Sequence, residues 1–259
     1  NAGFKVNTYP YYDAQTRGVN FDGMLAVLKT MPPGDIVLLH ACCHNPTGVD
    51  LSEAQWAAVA ETMRARGLVP FLDIAYQGFG DGIDADGSAV RQFAKTGMPL
   101  FVANSFSKSF SLYGERVGSL NVVAGTSEEG ARVLSQIKRV VRANYSSPPT
   151  HGSKIVAAVL TTPELRTLWE QELGHMRERI KDMRKLLVEK IHARVPDADF
   201  SFVTRQRGMF SYSGLTKEQV IRMREEFAVY AIESGRICVA ALNSKNVDYS
   251  ADAIAKAIS

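Results

Sequence analysis

A strand, a loop and a helix recur in this order between residues 20 and 123, and this repetition constrains the fold more than any other feature of the sequence. Short apolar runs at 36–40 and 68–72 have the length and composition of buried strands. Each run is followed by a loop and then by a stretch with helical character. Strands that alternate with helices predict an α/β fold, with a mostly parallel sheet and helices on both faces.

Specific signals mark the helix ends in this region. Asn20 is placed to cap a first helix that Pro32-Pro33-Gly34 terminates. Ser52 and Gln55 have the spacing of a capping box, and Gly67 ends the helix that they open. The remaining elements predicted here are a weaker helix at 88–95 and strands at 100–103 and 119–123.

The character of the sequence changes at residue 128, from alternating elements to long helices. Helices are predicted at 128–142, 150–160 and 163–194, and the last of these is long enough to bridge two domains. The elements predicted after it are strands at 200–203, 208–212 and 236–240, a helix opened by Thr216 with Gln219, and a final helix from Asn246. We therefore predict a partial large domain at 1–162, and a bridging helix with a smaller C-terminal α+β domain at 163–259.

Composition excludes several classes of protein. The chain has 259 residues with 30 basic and 27 acidic side chains, and its net charge of +3 predicts neither nucleic-acid nor membrane binding. The sequence lacks a run of roughly 18 apolar residues, so we expect a soluble, cytoplasmic protein. Cys42, Cys43 and Cys238 are expected to be reduced thiols, and no metal site is predicted because nothing completes a ligand shell around His44.

Candidate catalytic residues follow the predicted strands, where ligands bind in parallel sheets. Lys108 lies just after the strand at 100–103, close to the hydroxyls of Ser105 and Ser107. Three interpretations are open: a surface lysine, an amine nucleophile that forms a Schiff base with a carbonyl cofactor, or an S-x-x-K motif with Ser105 as nucleophile. The third is disfavoured because Lys95-Thr96-Gly97 precedes Ser105, which reverses the order of the penicillin-binding enzymes.

The loop after the preceding strand favours the cofactor. Asp73 ends an apolar strand and Tyr76 follows it, so a protonated pyridine nitrogen could pair with the carboxylate and the tyrosine could bind the ring oxygen. The alternative is a helix-capping aspartate and a core tyrosine. Asn45, in the loop after the strand at 36–40, is expected to reach the same crevice.

Together these residues resemble a known family, the fold-type I pyridoxal-phosphate aminotransferases of the aspartate and aromatic amino acid subgroup. The resemblance runs from about residue 11 to the C-terminus. It depends on five segments in the family's order: His44-Asn45-Pro46-Thr47-Gly48, Asp73-Ile74-Ala75-Tyr76-Gln77-Gly78-Phe79, Ser105-Phe106-Ser107-Lys108 with Tyr113 and Arg116, Arg142-Ala143-Asn144-Tyr145-Ser146, and Ser234-Gly235-Arg236.

The resemblance implies a role for each matching residue around pyridoxal 5'-phosphate. Lys108 would form the Schiff base and later move the substrate proton, and Asp73 would keep the ring nitrogen protonated. The remaining cofactor contacts implied by the family are Asn45 and Tyr76 at the phenolic oxygen, and Ser105, Ser107 and Arg116 at the phosphate.

Two arginines and a phenylalanine are implied on the substrate side. Arg236 would bind the α-carboxylate, and Phe210 would pack beside the substrate. In a homodimer with shared active sites, Arg142 would reach the side-chain carboxylate of a dicarboxylic substrate bound to the partner. A planar guanidinium suits such bidentate binding.

The function implied is transfer of the amino group of aspartate or an aromatic amino acid to 2-oxoglutarate by a ping-pong mechanism. Two alternatives stay open: a fold-type I lyase that uses the same lysine, and a non-catalytic fragment. The second is considered because the family has a substantial N-terminal portion ahead of the position of Asn1. A chain truncated there is expected to expose sheet edges and apolar surface.

Overall fold

The computed structural model describes residues 3–259. The elements of its first half are β1 (Tyr12–Asp13), β2 (Gly18–Val19), α1 (Phe21–Thr30), β3 (Ile36–His40), α2 (Glu53–Arg66), β4 (Val69–Ile74), α3 (Ile83–Asp86), α4 (Ser88–Ala94), β5 (Leu100–Ser105) and β6 (Gly118–Val123). They are followed by α5 (Ser127–Asn144), α6 (His151–Thr161), α7 (Pro163–Arg194), α8 (Phe202–Arg205), β7 (Phe210–Tyr212), α9 (Lys217–Phe227), β8 (Arg236–Cys238), a 3-10 turn (Val239–Ala241) and α10 (Val247–Ile258).

The central sheet has the strand order β3-β4-β5-β6. The first two pairings are parallel and the third is antiparallel. In the register of the sheet, Asp73 lies opposite His40 on one side and Ala103 on the other, so the loops after β3, β4 and β5 begin at one edge. Helices cover both faces. The predicted mostly parallel α/β sheet is therefore confirmed.

The local helix signals are also confirmed. Ser52 and Gln55 form a reciprocal capping box at the start of α2, and Gly67 ends that helix in the left-handed conformation at φ 65°. Thr216 and Gln219 form a second capping box at the start of α9. These signals are reliable because each depends only on residues within one turn.

Two apolar cores share the long helix α7. Leu39, Leu72 and Leu100 of the sheet belong to the first core, together with residues from the first half of α7. The second core packs the end of α7 against α8, α9 and α10. The residues that α7 contributes are Leu173 and Ile180 to the first core and Leu187 and Ile191 to the second. The bridging character expected of this helix agrees with this packing, while the division at 162/163 stays a prediction.

The predicted strand at 200–203 is wrong, because this segment turns into the short helix α8. Phe202 and Val203 are neighbours in sequence and both are buried, at 3% and 0% exposure, whereas successive residues of a surface strand face opposite sides. The Val203 N–H donates to the Phe200 carbonyl, which closes a turn. The strand predicted at 236–240 also ends early, at Cys238, and continues as the 3-10 turn.

Apolar side chains are exposed along both borders of the central sheet. Ile36 and Leu38 of β3 are 45% and 53% exposed, and Leu120 of β6 is 51% exposed. Helix α5 buries none of its residues, and a groove of about 880 Å³ lies between it and β6. This arrangement agrees with the expected exposure of apolar surface. Within the described residues, no helix is long and apolar enough to cross a membrane.

Candidate active site

Three loops bring Asn45, Tyr76 and Lys108 together beyond the carboxyl ends of β3, β4 and β5. The Lys108 Nζ atom lies 4.7 Å from the centroid of the Tyr76 ring. The Asn45 Nδ2 atom donates a hydrogen bond of 3.3 Å to the Tyr76 hydroxyl. The parallel register of the strands explains this meeting, because it aligns the points at which the three loops begin.

The C-terminal part of the chain contributes Arg236 and Phe210 to the same cluster. Arg236 Nη1 donates to the Asn45 side-chain oxygen at 2.9 Å, and its guanidinium carbon lies 4.6 Å from the centre of the Phe210 ring. The Phe210 ring meets the Tyr76 ring edge-on at 6.0 Å. The antiparallel pair β7–β8 holds the two residues on adjacent strands. The structure thus brings five of the predicted site residues into one cluster: Asn45, Tyr76, Lys108, Phe210 and Arg236.

Burial sets the state of the Tyr76 hydroxyl. Tyr76 is 4% exposed, and burial raises its pKa, although the hydrogen bond from Asn45 acts in the opposite direction. The hydroxyl therefore keeps its proton at neutral pH and can donate it to an acceptor in the crevice. Tyr113, whose ring lies 5.9 Å from Lys108 Nζ, also has a raised pKa because of desolvation.

The loop at 43–48 is shaped by hydrogen bonds to a half-buried carboxylate. The two Asp50 oxygens accept from the backbone N–H groups of Cys43 at 2.7 Å and His44 at 2.8 Å. Burial raises the pKa of Asp50 in spite of these bonds. Gly48 has a φ of 72°, and a Cβ atom there would lie 2.6 Å from the Phe210 carbonyl oxygen. Only glycine permits this close approach of the loop to β7.

His44 precedes Asn45 in the loop and is stacked on an aromatic ring. Its ring centroid is 4.0 Å from that of Tyr11, and its Nδ1 atom is 2.8 Å from the Thr47 hydroxyl. Burial, with a smaller contribution from His40, lowers the pKa of His44 to about 3. The imidazole is therefore neutral at pH 7.

Asp73 is half-buried at the end of β4. Its backbone carbonyl accepts a hydrogen bond from Ala41 at 2.9 Å. None of the ion pairs found within residues 3–259 involves its carboxylate. A half-buried carboxylate of this kind suits a cationic ligand group.

The residues predicted to bind phosphate lie at the end of β5 and on the segment that follows it. The Ser107 N–H donates to the Ser105 hydroxyl at 3.3 Å, and Ser107 is buried at 6% exposure. Arg116 is exposed and donates to the Tyr113 carbonyl at 2.9 Å. The structure thus places hydroxyls and a guanidinium on one short segment, and their joint role stays a prediction.

Arg142 lies apart from this cluster. It is exposed near the end of α5, where its Nη1 donates to the Ser146 hydroxyl at 2.6 Å. Its predicted role concerns the site of a second copy, so the geometry of one chain leaves that role a prediction.

A group of Cys42, Cys43 and Asp86 brings three potential metal donors within 4.8 Å of one another. The Asp86 carboxylate already accepts from three backbone N–H groups, which belong to Gly78, Gly80 and Asp81. The hydrogen bond between the two thiols, together with burial, raises the pKa of Cys43; it acts to lower the pKa of Cys42, but burial and nearby carboxylates raise that value above its usual one. Both shifts disfavour the thiolate that a metal requires. We interpret Asp86 as the anchor of the turn at 78–81.

Sequence reasoning missed Asp86 and Arg184, two charged residues that are almost fully buried, at 5% and 2% exposure. For Arg184 a signal was available. It lies four residues after Ile180 and three before Leu187, on the buried face of α7.

Comparison with known proteins gives concordant results. A family model described as aminotransferase class I and II matches residues 1–254. Among curated proteins, an aspartate aminotransferase of Pseudomonas aeruginosa is 60% identical over 257 residues, which are 99% of this chain and 65% of that protein. An aromatic-amino-acid aminotransferase of Escherichia coli is 56% identical over 254 residues, 98% of this chain and 64% of that protein.

Among solved structures, an aromatic-amino-acid aminotransferase from Burkholderia pseudomallei, covalently bound to pyridoxal phosphate, superposes with a TM-score of 0.98 and 65% identity. The match covers 100% of this chain and 65% of that one. The chain thus spans about 65% of the length of the relatives that it matches.

Proposed function

The chain belongs to the class I and II aminotransferase family, and we propose that it acts as a pyridoxal-phosphate-dependent aminotransferase. It would move the amino group of aspartate or an aromatic amino acid to 2-oxoglutarate by a ping-pong route. The observation that carries this proposal is the meeting of Lys108, Tyr76, Asn45 and Arg236 in one cluster. The names of the relatives support both substrate classes.

The chemistry of the donor set fits the cofactor. Pyridoxal 5'-phosphate, when bound, supplies a carbonyl carbon for amines and a conjugated ring that accepts electrons from the substrate Cα. An amine, a half-buried carboxylate, a protonated tyrosine hydroxyl and an amide are the groups that its aldehyde, ring nitrogen and ring oxygen require. In this chain they are Lys108, Asp73, Tyr76 and Asn45.

Each of these residues has a distinct task in the proposed reaction. The Lys108 amine would hold the cofactor through its aldehyde carbon, and its Nζ atom would take the proton from the substrate Cα. The Asp73 carboxylate would hold the proton on the ring nitrogen. Tyr76 and Asn45 would donate hydrogen bonds to the ring oxygen. In this proposal Lys108 acts as the base, while Asp73 and Tyr76 help the cofactor ring to accept electrons from the substrate.

Charged groups at the two ends of the site would orient the ligands. Ser105, Ser107 and Arg116 would bind the phosphate. The Arg236 guanidinium would bind the substrate α-carboxylate, with Phe210 beside it. Arg236 suits this task because its planar fork matches a carboxylate.

We also propose a cytoplasmic homodimer in which Arg142 binds the side-chain carboxylate of a substrate in the partner's site. The exposure of Arg142 at the end of α5 supports this assignment. The ligands of this dimer would be small molecules, namely amino acids and 2-oxo acids, and it would bind neither nucleic acid nor membranes.

The alternative of a non-catalytic chain stays open beside the aminotransferase. In that case the chain would be a non-catalytic unit that binds the cofactor weakly. A lyase reaction with the same lysine is a further alternative. Release of ammonia from the amino acid, with no glutamate formed from 2-oxoglutarate, would support the lyase.

The test adds pyridoxal 5'-phosphate to the purified chain, reduces it with borohydride and maps the modified lysine by mass spectrometry. We expect the adduct on Lys108 and its loss in Lys108→Ala. Lys95→Ala, at an exposed lysine, is the matched control and should keep the adduct. An adduct that persists in Lys108→Ala contradicts the assignment. An adduct on Lys108 without glutamate formation from aspartate and 2-oxoglutarate supports the non-catalytic alternative.

A further inference from the structure

Arg184 of α7 is buried among uncharged hydrogen-bond partners. Its side chain reaches three backbone carbonyl oxygens: Nη2 donates to Gly208 at 2.7 Å and to Phe210 at 2.8 Å, and Nη1 donates to Val203 at 3.2 Å. Nη1 also contacts the hydroxyl of Ser211. The guanidinium therefore binds one short segment of chain at several points.

Such an arrangement is costly to maintain. Desolvation lowers the pKa of Arg184 to about 10, which still leaves the side chain charged at neutral pH. An isolated charge in an apolar interior is destabilising unless hydrogen bonds compensate it. Ile180 and Leu187, one turn away on either side, fill the same face of α7 with apolar groups. An arginine between them is explained by its hydrogen bonds to the carbonyl groups and not by packing.

The segment that Arg184 holds leads directly into the proposed substrate site. The Phe210 ring lies 4.6 Å from the Arg236 guanidinium and 6.0 Å from the Tyr76 ring. Gly208, two residues before Phe210, packs so closely on Cys43 that a Cβ atom at this glycine would collide with the cysteine side chain. The backbone at 208–210 is thus fixed from both sides, by Arg184 and by the loop that carries Asn45.

We propose that Arg184 is a positioning residue for substrate binding. By holding the carbonyl groups of Gly208 and Phe210, it sets the Phe210 ring against Arg236 and thereby fixes the guanidinium that receives the carboxylate. This inference rests on the proposed function, in which Arg236 binds the substrate α-carboxylate. Pre-organised binding groups lose affinity steeply when their supporting contacts are removed.

The experiment compares the wild-type chain, loaded with pyridoxal 5'-phosphate, with Arg184→Met, Arg184→Lys and Leu187→Ala. Leu187→Ala is the control for a general loss of stability, because Leu187 is buried on the same face of α7. Calorimetry measures the dissociation constant of succinate, a dicarboxylate without an amino group. Hydrogen–deuterium exchange of residues 209–212, measured in the absence of succinate, reports how well the segment held by Arg184 is ordered.

Arg184→Met should raise the dissociation constant of succinate about tenfold or more and speed exchange at 209–212. Arg184→Lys should restore most of the affinity for succinate and most of the protection from exchange at 209–212, because an ammonium can still donate to two carbonyl groups. Leu187→Ala should lower the melting temperature and change the dissociation constant less than threefold. An equal effect of Arg184→Met and Leu187→Ala on succinate would overturn the proposal, and so would unchanged binding in Arg184→Met.

Failure of the proposed function and failure of the positioning role of Arg184 would give different results. If the wild-type chain bound no succinate, the proposed role of Arg236 would be wrong, and the exchange data would still decide whether Arg184 orders Phe210. Unchanged exchange at 209–212 in Arg184→Met would overturn that positioning role by itself.

Discussion

Arg236 donates a hydrogen bond of 2.9 Å to the side-chain oxygen of Asn45, across 191 residues of sequence. The same Asn45 amide donates through Nδ2 to the Tyr76 hydroxyl at 3.3 Å. The amide oxygen therefore accepts a hydrogen bond from a cation, and the amide nitrogen donates one to a phenol. This pair connects the proposed carboxylate-binding group to the proposed cofactor-binding groups.

Asn45→Asp should weaken substrate binding. The new carboxylate would pair with Arg236 and compete with the substrate, and it could no longer donate to Tyr76. A substrate carboxylate that must compete with the new carboxylate for Arg236 loses charged hydrogen bonding worth about 2 kcal/mol, or roughly 30-fold in kcat/KM. Steady-state kinetics with aspartate measures it, and we expect the change mainly in KM. Asn121→Asp, at an exposed asparagine on β6, is the control, and an equal loss in both variants would contradict the argument.

Gly48→Ala should destabilise the junction between the 43–48 loop and β7. Its φ is 72°, and an added Cβ would lie 2.6 Å from the Phe210 carbonyl oxygen. Gly34→Ala is a matched control, because Gly34 has a φ of 87° and nothing within 4 Å of its Cβ position. Both variants bear the backbone strain of about 1 kcal/mol, and only Gly48→Ala adds the steric clash. Urea denaturation should show a loss at least twice as large for Gly48→Ala, and equal losses would refute the steric explanation.

The parts of this fold that the sequence predicted correctly depend on short-range or periodic signals. The capping box of Ser52 and Gln55 is complete within four residues, and the alternation of strands with helices fixes the parallel register that gathers Asn45, Tyr76 and Lys108. The resemblance to a known family then supplied the assignment of Arg236 to the same site.

Other features depend on contacts that no local pattern contains. The run at 200–203 has too few residues to distinguish a strand from a helical turn, and packing against α7 decides for the turn. Arg184 is buried because carbonyl groups roughly twenty residues away in sequence accept its hydrogen bonds. The position of Arg142 relative to a second copy is likewise beyond what one chain encodes locally.

Asp86→Ala should be strongly destabilising. The Asp86 carboxylate is 5% exposed and accepts from the backbone N–H groups of Gly78, Gly80 and Asp81. Removing it leaves three donors without their acceptor, at a cost of about 3–5 kcal/mol. Asp84→Ala, at a side chain that is 95% exposed and pairs with Arg91, should cost less than about 1 kcal/mol. Chemical denaturation of both variants tests the contrast, and similar losses would show that Asp86 does not anchor the turn.

Val140→Lys should reduce self-association of the 259-residue chain expressed alone. Val140 is 66% exposed and lies in the groove between α5 and β6, and large exposed apolar patches promote association. Gln171→Lys makes the same change in net charge at an exposed position of α7. Light scattering, measured over a range of protein concentrations, should be weaker for Val140→Lys than for the wild-type chain and close to the wild-type value for Gln171→Lys. A fall of the same size in both would assign the effect to net charge.

His44 should make the fold sensitive to acid. Its pKa is lowered to about 3 in the folded chain, against about 6.5 in an unfolded one, so the unfolded state takes up a proton first as the pH falls. The stability contributed by neutral His44 is present above pH 6.5 and decreases by about 1.4 kcal/mol per pH unit toward pH 3. His44→Phe keeps an aromatic ring against Tyr11 and removes the titration, so its free energy of unfolding should depend less on pH over this range. Urea denaturation between pH 4 and pH 7 measures both slopes. An unchanged slope in His44→Phe would mean that another group controls the acid response.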